Sequence, residues 1–120
     1  MAGWHISVFR LVDGGSSPAQ RDSPKSTEIA DWRAEFNGLR WIDDLVKAEG
    51  AVDLGGNGYP SWYTAQAKHL LQRIIDGPPY TIKDYDTTTH KWVWPRVINP
   101  TVAASCRPDE WLLVEVWDGS

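Results

Sequence analysis

Ala51-Val-Asp-Leu-Gly-Gly-Asn-Gly-Tyr-Pro-Ser-Trp-Tyr-Thr-Ala-Gln-Ala-Lys-His-Leu-Leu-Gln-Arg-Ile-Ile-Asp-Gly-Pro-Pro79 is the stretch on which the architecture rests. Ala51–Leu54 reads as a short strand, Leu54–Pro60 as a glycine-rich turn, and the remainder as the best helix in the chain. Tyr63, Ala67, Leu70, Leu71 and Ile74 fall at the i, i+4, i+7, i+8 and i+11 positions of one face, while Gln66, Lys68, Gln72 and Arg73 take the other. Pro60 and Ser61 mark the start; Gly77, Pro78 and Pro79 mark the stop, because a C′ glycine followed by proline cannot continue a helix. The stretch therefore supplies an amphipathic helix that needs a sheet to cover.

On this reading the glycine turn sits at a helix N-terminus, where free N–H groups and the helix dipole favour an anion. The turn lacks the Lys-Ser/Thr of a phosphate-binding loop and the glycine spacing of a dinucleotide turn, and no Lys or Arg occurs between Lys47 and Lys68. It reads instead as a tight reversal whose glycines take positive φ. Asn57, Tyr59, Trp62 and Tyr63 beside it form a candidate recognition patch. Trp92 and Trp94 are further candidate anchors.

Working outward, Trp4–Val12 reads as a strand with Trp4, Ile6 and Val8 on one face and His5, Ser7, Phe9 and Leu11 on the other, which predicts a central position. Asp13–Thr27 carries two prolines and no large apolar residue, and reads as a flexible arm with nothing to anchor it. Ala30, Trp32, Ala34 and Phe36 alternate with Asp31, Arg33 and Glu35, the period of a half-buried strand over Ile29–Phe36, although Ile29, Trp32 and Phe36 would also line a helix face; strand is the reading taken. Asn37 then reads as the cap of a helix through Glu49, with Trp41, Ile42, Leu45 and Val46 inward and Gly50 as the stop. Beyond Pro79, Tyr80–Tyr85 and Thr89–Trp94 read as two strands joined by a turn at Asp86-Thr87-Thr88. Asn99-Pro100 opens a short helix through Cys106 with the proline at its first position. Trp111–Trp117 reads as a second strand apolar on both sides, placing strands near both ends of the sequence and adjacent in the sheet. The expected fold is a single α+β domain over residues 1–120, with a mixed or antiparallel sheet of about five or six strands under two main helices.

Composition narrows the function classes. No apolar run reaches the ~18–20 residues that span a bilayer, no basic leader precedes the first strand, and the lone Cys106 supports no disulfide framework, so the expected location is the cytoplasm. Sixteen acidic against twelve basic residues argue against a dedicated nucleic-acid binder, which needs clustered cations. Eight Trp and four Tyr against two Phe are the unusual feature, and several Trp stand beside charges, so not all can be fully buried. His69 reads as a boundary residue of the main helix, and Asp43, Asp44, Asp109 and Glu110 as solvated surface. Asp84, Asp86 and His90 share a spacing that matches no established metal motif, and Cys106 would need a histidine partner to act as a nucleophile. No catalytic residue, metal or cofactor is expected.

Two functional expectations follow. The first is a non-enzymatic protein-binding module that uses exposed aromatics and a mildly acidic rim, with a basic protein as the natural partner. In composition it is comparable with small acidic proteins that act only by binding another protein, such as toxin-immunity proteins and phage counter-defence inhibitors. The second is a small-molecule binder or small enzyme whose pocket lies at the turn 55–60, with Asn57 and Tyr59 as polar contacts and a Trp stacking on a flat ligand.

Overall fold

The strands predicted near the two ends of the sequence pair with each other. A computed structural model describes residues 3–35, 37–74, 84–86, 91–93 and 96–119. In chain order the elements are β1 (Gly3–Leu11), β2 (Lys25–Glu35), α1 (Arg40–Lys47), β3 (Ala51–Gly56), β4 (Ser61–Gln66), α2 (Ala67–Ile74), β5 (Asp84–Asp86), β6 (Lys91–Val93), β7 (Arg96–Ile98), α3 (Pro100–Ser105) and β8 (Trp111–Asp118). Six strands form one antiparallel sheet in the order β3-β4-β8-β1-β2-β7, and β5 and β6 form a separate two-stranded ribbon. This is an α+β fold with helices over an antiparallel sheet. Among the described residues no helix is long and apolar enough to cross a membrane.

The helix-covered face holds the core. Ile6 and Val8 of β1, Ala30, Trp32 and Ala34 of β2, Tyr63 and Ala65 of β4, and Leu112, Val114 and Val116 of β8 are buried there beneath Trp41, Ile42 and Leu45 of α1, Leu70 and Ile74 of α2, and Ala103 of α3. Cross-strand partners share a face, so the register Ile6↔Trp32, Ile6↔Val116 and Tyr63↔Val114 lines these side chains in rows. Trp32 is 1% exposed and meets Trp41 at 5.9 Å between ring centroids. Truncating either ring would cost about 3–5 kcal/mol.

The stretch 51–79 folds differently from its periodicity. Ser61–Gln66 is strand β4, paired with β3 on one side and β8 on the other, and the helix begins only at Ala67. The glycine turn is thus the turn of a β3–β4 hairpin and not a helix N-terminus, so no helix dipole or free helix N–H groups favour an anion there. Aromatic and β-branched Trp62, Tyr63 and Thr64 suit a pleated surface better than a helix, and pairing on both edges decides the contest. The predicted stop at Gly77-Pro78-Pro79 lies outside the described residues.

Both other helices keep their predicted places with altered ends. Asn37 does not cap α1: Leu39 occupies the N-cap without a side-chain bond, and Asn37 Oδ1 is buried without a partner among the described residues. At the C-terminus, Glu49 N–H donates to Val46 O at 3.1 Å and Gly50 N–H to Leu45 O at 2.7 Å, with Glu49 at φ 63°. Glu49, one residue before the expected glycine, therefore takes the left-handed position. Helix α3 opens as expected, with Asn99 Oδ1 accepting from Val102 N–H at 3.1 Å and Pro100 at the first position. Strand β7, which pairs Ala30↔Ile98 and Trp32↔Arg96, was not anticipated; its three residues are too few to show a period.

Two further expectations are corrected. Lys25–Thr27 belong to β2, and the segment 12–24 is anchored across the face of the sheet opposite the main core. Ala19 is 3% exposed in a small cluster with Leu11 and Leu113, and its N–H donates to Thr64 Oγ1 at 3.1 Å. Gly15, at φ 71°, accepts from Trp111 N–H at 2.8 Å, and a Cβ there would collide with the Trp111 carbonyl. Small residues and backbone groups hold this segment, so its lack of large apolar residues misleads. Glu110 is fully buried, not solvated: Arg10 Nε and Nη2 donate to its carboxylate at 2.8 and 3.1 Å, and Arg107 N–H adds a third bond at 3.3 Å. Asp43, Asp44 and Asp109 are exposed as expected.

Candidate functional site

The described helices pack on one side, and among the described residues the opposite face of the sheet presents side chains beyond the segment 12–24. Antiparallel register builds that face in rows. One row runs Trp62, Glu115, Ser7 and Asp31 across β4, β8, β1 and β2; the next places Trp117, His5 and Arg33 side by side. The anchored segment 12–24 covers the row of Thr64 and Leu113, and its Arg21 reaches over Trp62 at one end of the first of these two rows. His5 and Arg33 are exposed, and Trp117 is 42% exposed.

Polar groups on the face are tied to one another. Glu115 accepts from Lys25 Nζ at 2.7 Å and from Trp117 Nε1 at 2.8 Å. Burial alone would push its carboxyl up, yet hydrogen bonds from Lys25, Trp117 and Trp62 hold it below the usual carboxylate range. His5 Nε2 is bonded to Asp31 Oδ1. Burial, then the hydrogen bond and charge of Asp31, push the Glu28 carboxyl up. Lys25 also lies 4.8 Å from the Phe9 ring centroid. Lys25 and Glu115 are paired within the face, while Arg33 stands exposed without an ion pair among the described residues.

The predicted site residues separate. Tyr59 is 58% exposed at the hairpin turn, Asn57 is exposed beside it, and Trp62 is half-buried at the same end of the open face. Tyr63 points the other way: it is 6% exposed among the helices, its hydroxyl donates to Asp43 Oδ1 at 3.3 Å, and burial with the charges of Asp43 and Asp53 pushes its phenol well above the usual range. Adjacent strand residues face opposite sides, so Trp62 and Tyr63 cannot serve one surface. The Trp92 side chain, Trp94 and His90 lie outside the described residues. Among the described residues no group of acidic, His or Cys side chains is placed to hold a metal.

Arg21, Trp117 and Glu115 were not singled out from sequence. Arg21 comes from the segment 12–24 and reaches the hairpin, where Nε donates to Leu54 O at 2.5 Å and the guanidinium carbon stands 5.5 Å from the Trp62 ring centroid. With Gly56, Asn57, Tyr59, Pro60 and Trp62 it lines a groove of ≈ 460 Å³. No local pattern predicts an Arg landing 33 residues away. Cys106 lines a different, apolar groove with Leu71 and Pro108, its Sγ donating to Val102 O at 3.4 Å. Burial and then Glu110 push its thiol up, which lowers its thiolate content and its reactivity. No family model, no curated protein and no solved structure matches the chain.

Proposed function

We propose that the chain is a non-enzymatic protein-binding module of inhibitor type, and that its contact surface is the face of the sheet opposite the main core, from Tyr59 and Trp62 to Trp117. The observation that carries this reading is Trp117, 42% exposed beside the Lys25–Glu115 pair, to which its own Nε1–H is bonded. A large, rigid indole on a flat strand surface contributes contact area at little entropic cost, and such residues dominate interface energetics when a partner desolvates them. Lys25–Glu115 and His5–Asp31 then form a polar surround whose bonds are satisfied before the partner arrives. Because that surround is balanced in sign, partner choice rests on the aromatics and on shape more than on net charge.

The test is retention of a host protein on immobilised chain, compared with Trp117→Ala, Tyr59→Ala and Trp62→Ala. A hot-spot indole costs at least about 2 kcal/mol on truncation, roughly thirtyfold in affinity. Trp117→Ala should lose the partner while its circular dichroism and melting temperature stay at parental values. If folded variants retain every captured protein as the parent does, the reading is wrong.

A further inference from the structure

We propose that the groove beside the β3–β4 turn is a recognition site for a carboxylate that carries an adjoining apolar or aromatic group. Three contacts fix the Arg21 guanidinium over the hairpin: the Leu54 carbonyl at 2.5 Å, the Trp62 ring at 5.5 Å, and the bare backbone of Gly55, at φ 86°, where a Cβ would collide with Nη2. Nη1 and Nη2 have no hydrogen-bond partner among the described residues. Asn57 Oδ1 accepts from Tyr59 N–H at 3.0 Å, which leaves its amide N–H₂ to donate outward, and Tyr59 brings an exposed phenol. The lining of Arg21, Gly56, Asn57, Tyr59, Pro60 and Trp62 thus contains one cation and no carboxylate, in a chain of formal charge −4.

Two N–H groups of a held guanidinium match the two oxygens of a planar carboxylate, and the indole and phenol faces take up the flat or apolar group beside it. A phosphate dianion would call for a second cation, which the lining does not contain. The groove lies at the Trp62 end of the surface proposed above, and its biological use rests on that reading, since the carboxylate would come from a partner's side chain or chain terminus. Its chemistry can be measured without the partner.

The experiment is a titration of ¹⁵N-labelled protein with N-acetyl-phenylalanine, with neutral N-acetyl-phenylalaninamide and with N-acetyl-glutamate α-amide. The resonances followed are Arg21 Nε–H, Trp62 Nε1–H and the Asn57 and Tyr59 amides. The carboxylates should shift these signals saturably, with about tenfold tighter binding than the neutral amide, as loss of a charge-assisted bond requires. Arg21→Gln should lose the same factor, and Arg21→Lys should restore only part of it because an ammonium lacks the fork. The tighter of the two carboxylates identifies a chain terminus or an acidic side chain as the source. Equal shifts by the neutral amide, unchanged binding to Arg21→Gln, or shifts confined to residues away from the groove would overturn the proposal. Capture of a partner through Trp117 without any carboxylate shift would sink the groove alone; carboxylate shifts without a captured partner would sink the binding-module reading alone.

Discussion

Thr64→Val tests whether the segment 12–24 is truly part of the folded body. Thr64 is fully buried; its hydroxyl donates to Leu112 O at 2.8 Å and accepts from Ala19 N–H at 3.1 Å. Valine keeps the shape and removes both bonds. The bond to Leu112 is worth about 1 kcal/mol net, and the stranded Ala19 N–H carries a desolvation penalty of about 1–3 kcal/mol, less about 1 kcal/mol returned by the added methyl. The expected loss is about 2 kcal/mol. A second route caps it: the segment can lift to hydrate that N–H, giving up the burial of Ala19 against Leu11 and Leu113. Urea unfolding separates the outcomes, since at a slope of about 1–3 kcal/mol/M a loss of this size moves the midpoint by about 1 M. Hydrogen exchange at the Ala19 and Trp111 amides reads the lifting directly. A stability within about 0.5 kcal/mol of the parent, with the Ala19 amide still protected, would refute the reasoning.

Arg10→Met should cost about 3 kcal/mol in urea unfolding, because it strips two bonds from a fully buried carboxylate and solvent already screens part of the pair on the Arg10 side, whereas Arg10→Met with Glu110→Leu should recover most of that loss. Glu49→Gly should stabilise by about 0.5–1 kcal/mol, seen as a melting temperature higher by a few degrees, since glycine occupies φ 63° without the Cβ clash. Lys25→Met should lower stability at pH 7 by less than about 1 kcal/mol, as Lys25 is substantially exposed. Glu115 is held below its ordinary value in the fold, so its contribution is present above the unfolded carboxylate pKa and lost as pH falls through the folded one. The gap between Lys25→Met and the parent should therefore close in unfolding curves taken below about pH 4; a gap that widens on acidification would contradict the assignment.

Strands β1 and β8 were legible as runs apolar on both faces and the second half of β2 through the alternation of Ala30, Trp32 and Ala34, and Asn99-Pro100 announced α3 through a cap that needs no tertiary partner. The border between β4 and α2 was not. Inward strand positions Tyr63 and Ala65 run straight into inward helix positions Ala67, Leu70 and Ile74, and Tyr63 to Ala67 happens to be a helical step. Periodicity cannot mark a junction where both periods agree. The hairpin residues Asn57, Tyr59 and Trp62 stand out in the sequence because glycine and aromatic residues cluster locally. Arg21, Thr64 and Glu110 owe their roles to partners 33, 45 and 100 residues away, and no window of sequence contains both members of such a pair.

Strand β8 lies between β4 and β1, and is the sole link in the sheet between the β3–β4 hairpin and the β1–β2–β7 group. Of the six strands in this sheet it is also the last in sequence order. During synthesis the two groups therefore have no shared ladder until residues 111–118 leave the ribosome, and Ile6 and Val8 wait with one edge of their strand unpaired. Sequence separation of this order makes the closing step a late and slow one, because loop closure is spent before the central pairing returns any free energy. The nascent chain carries this unpaired edge while the residues between β2 and β8 are translated, so chaperone demand should be set by the time that takes rather than by the stability of the finished sheet.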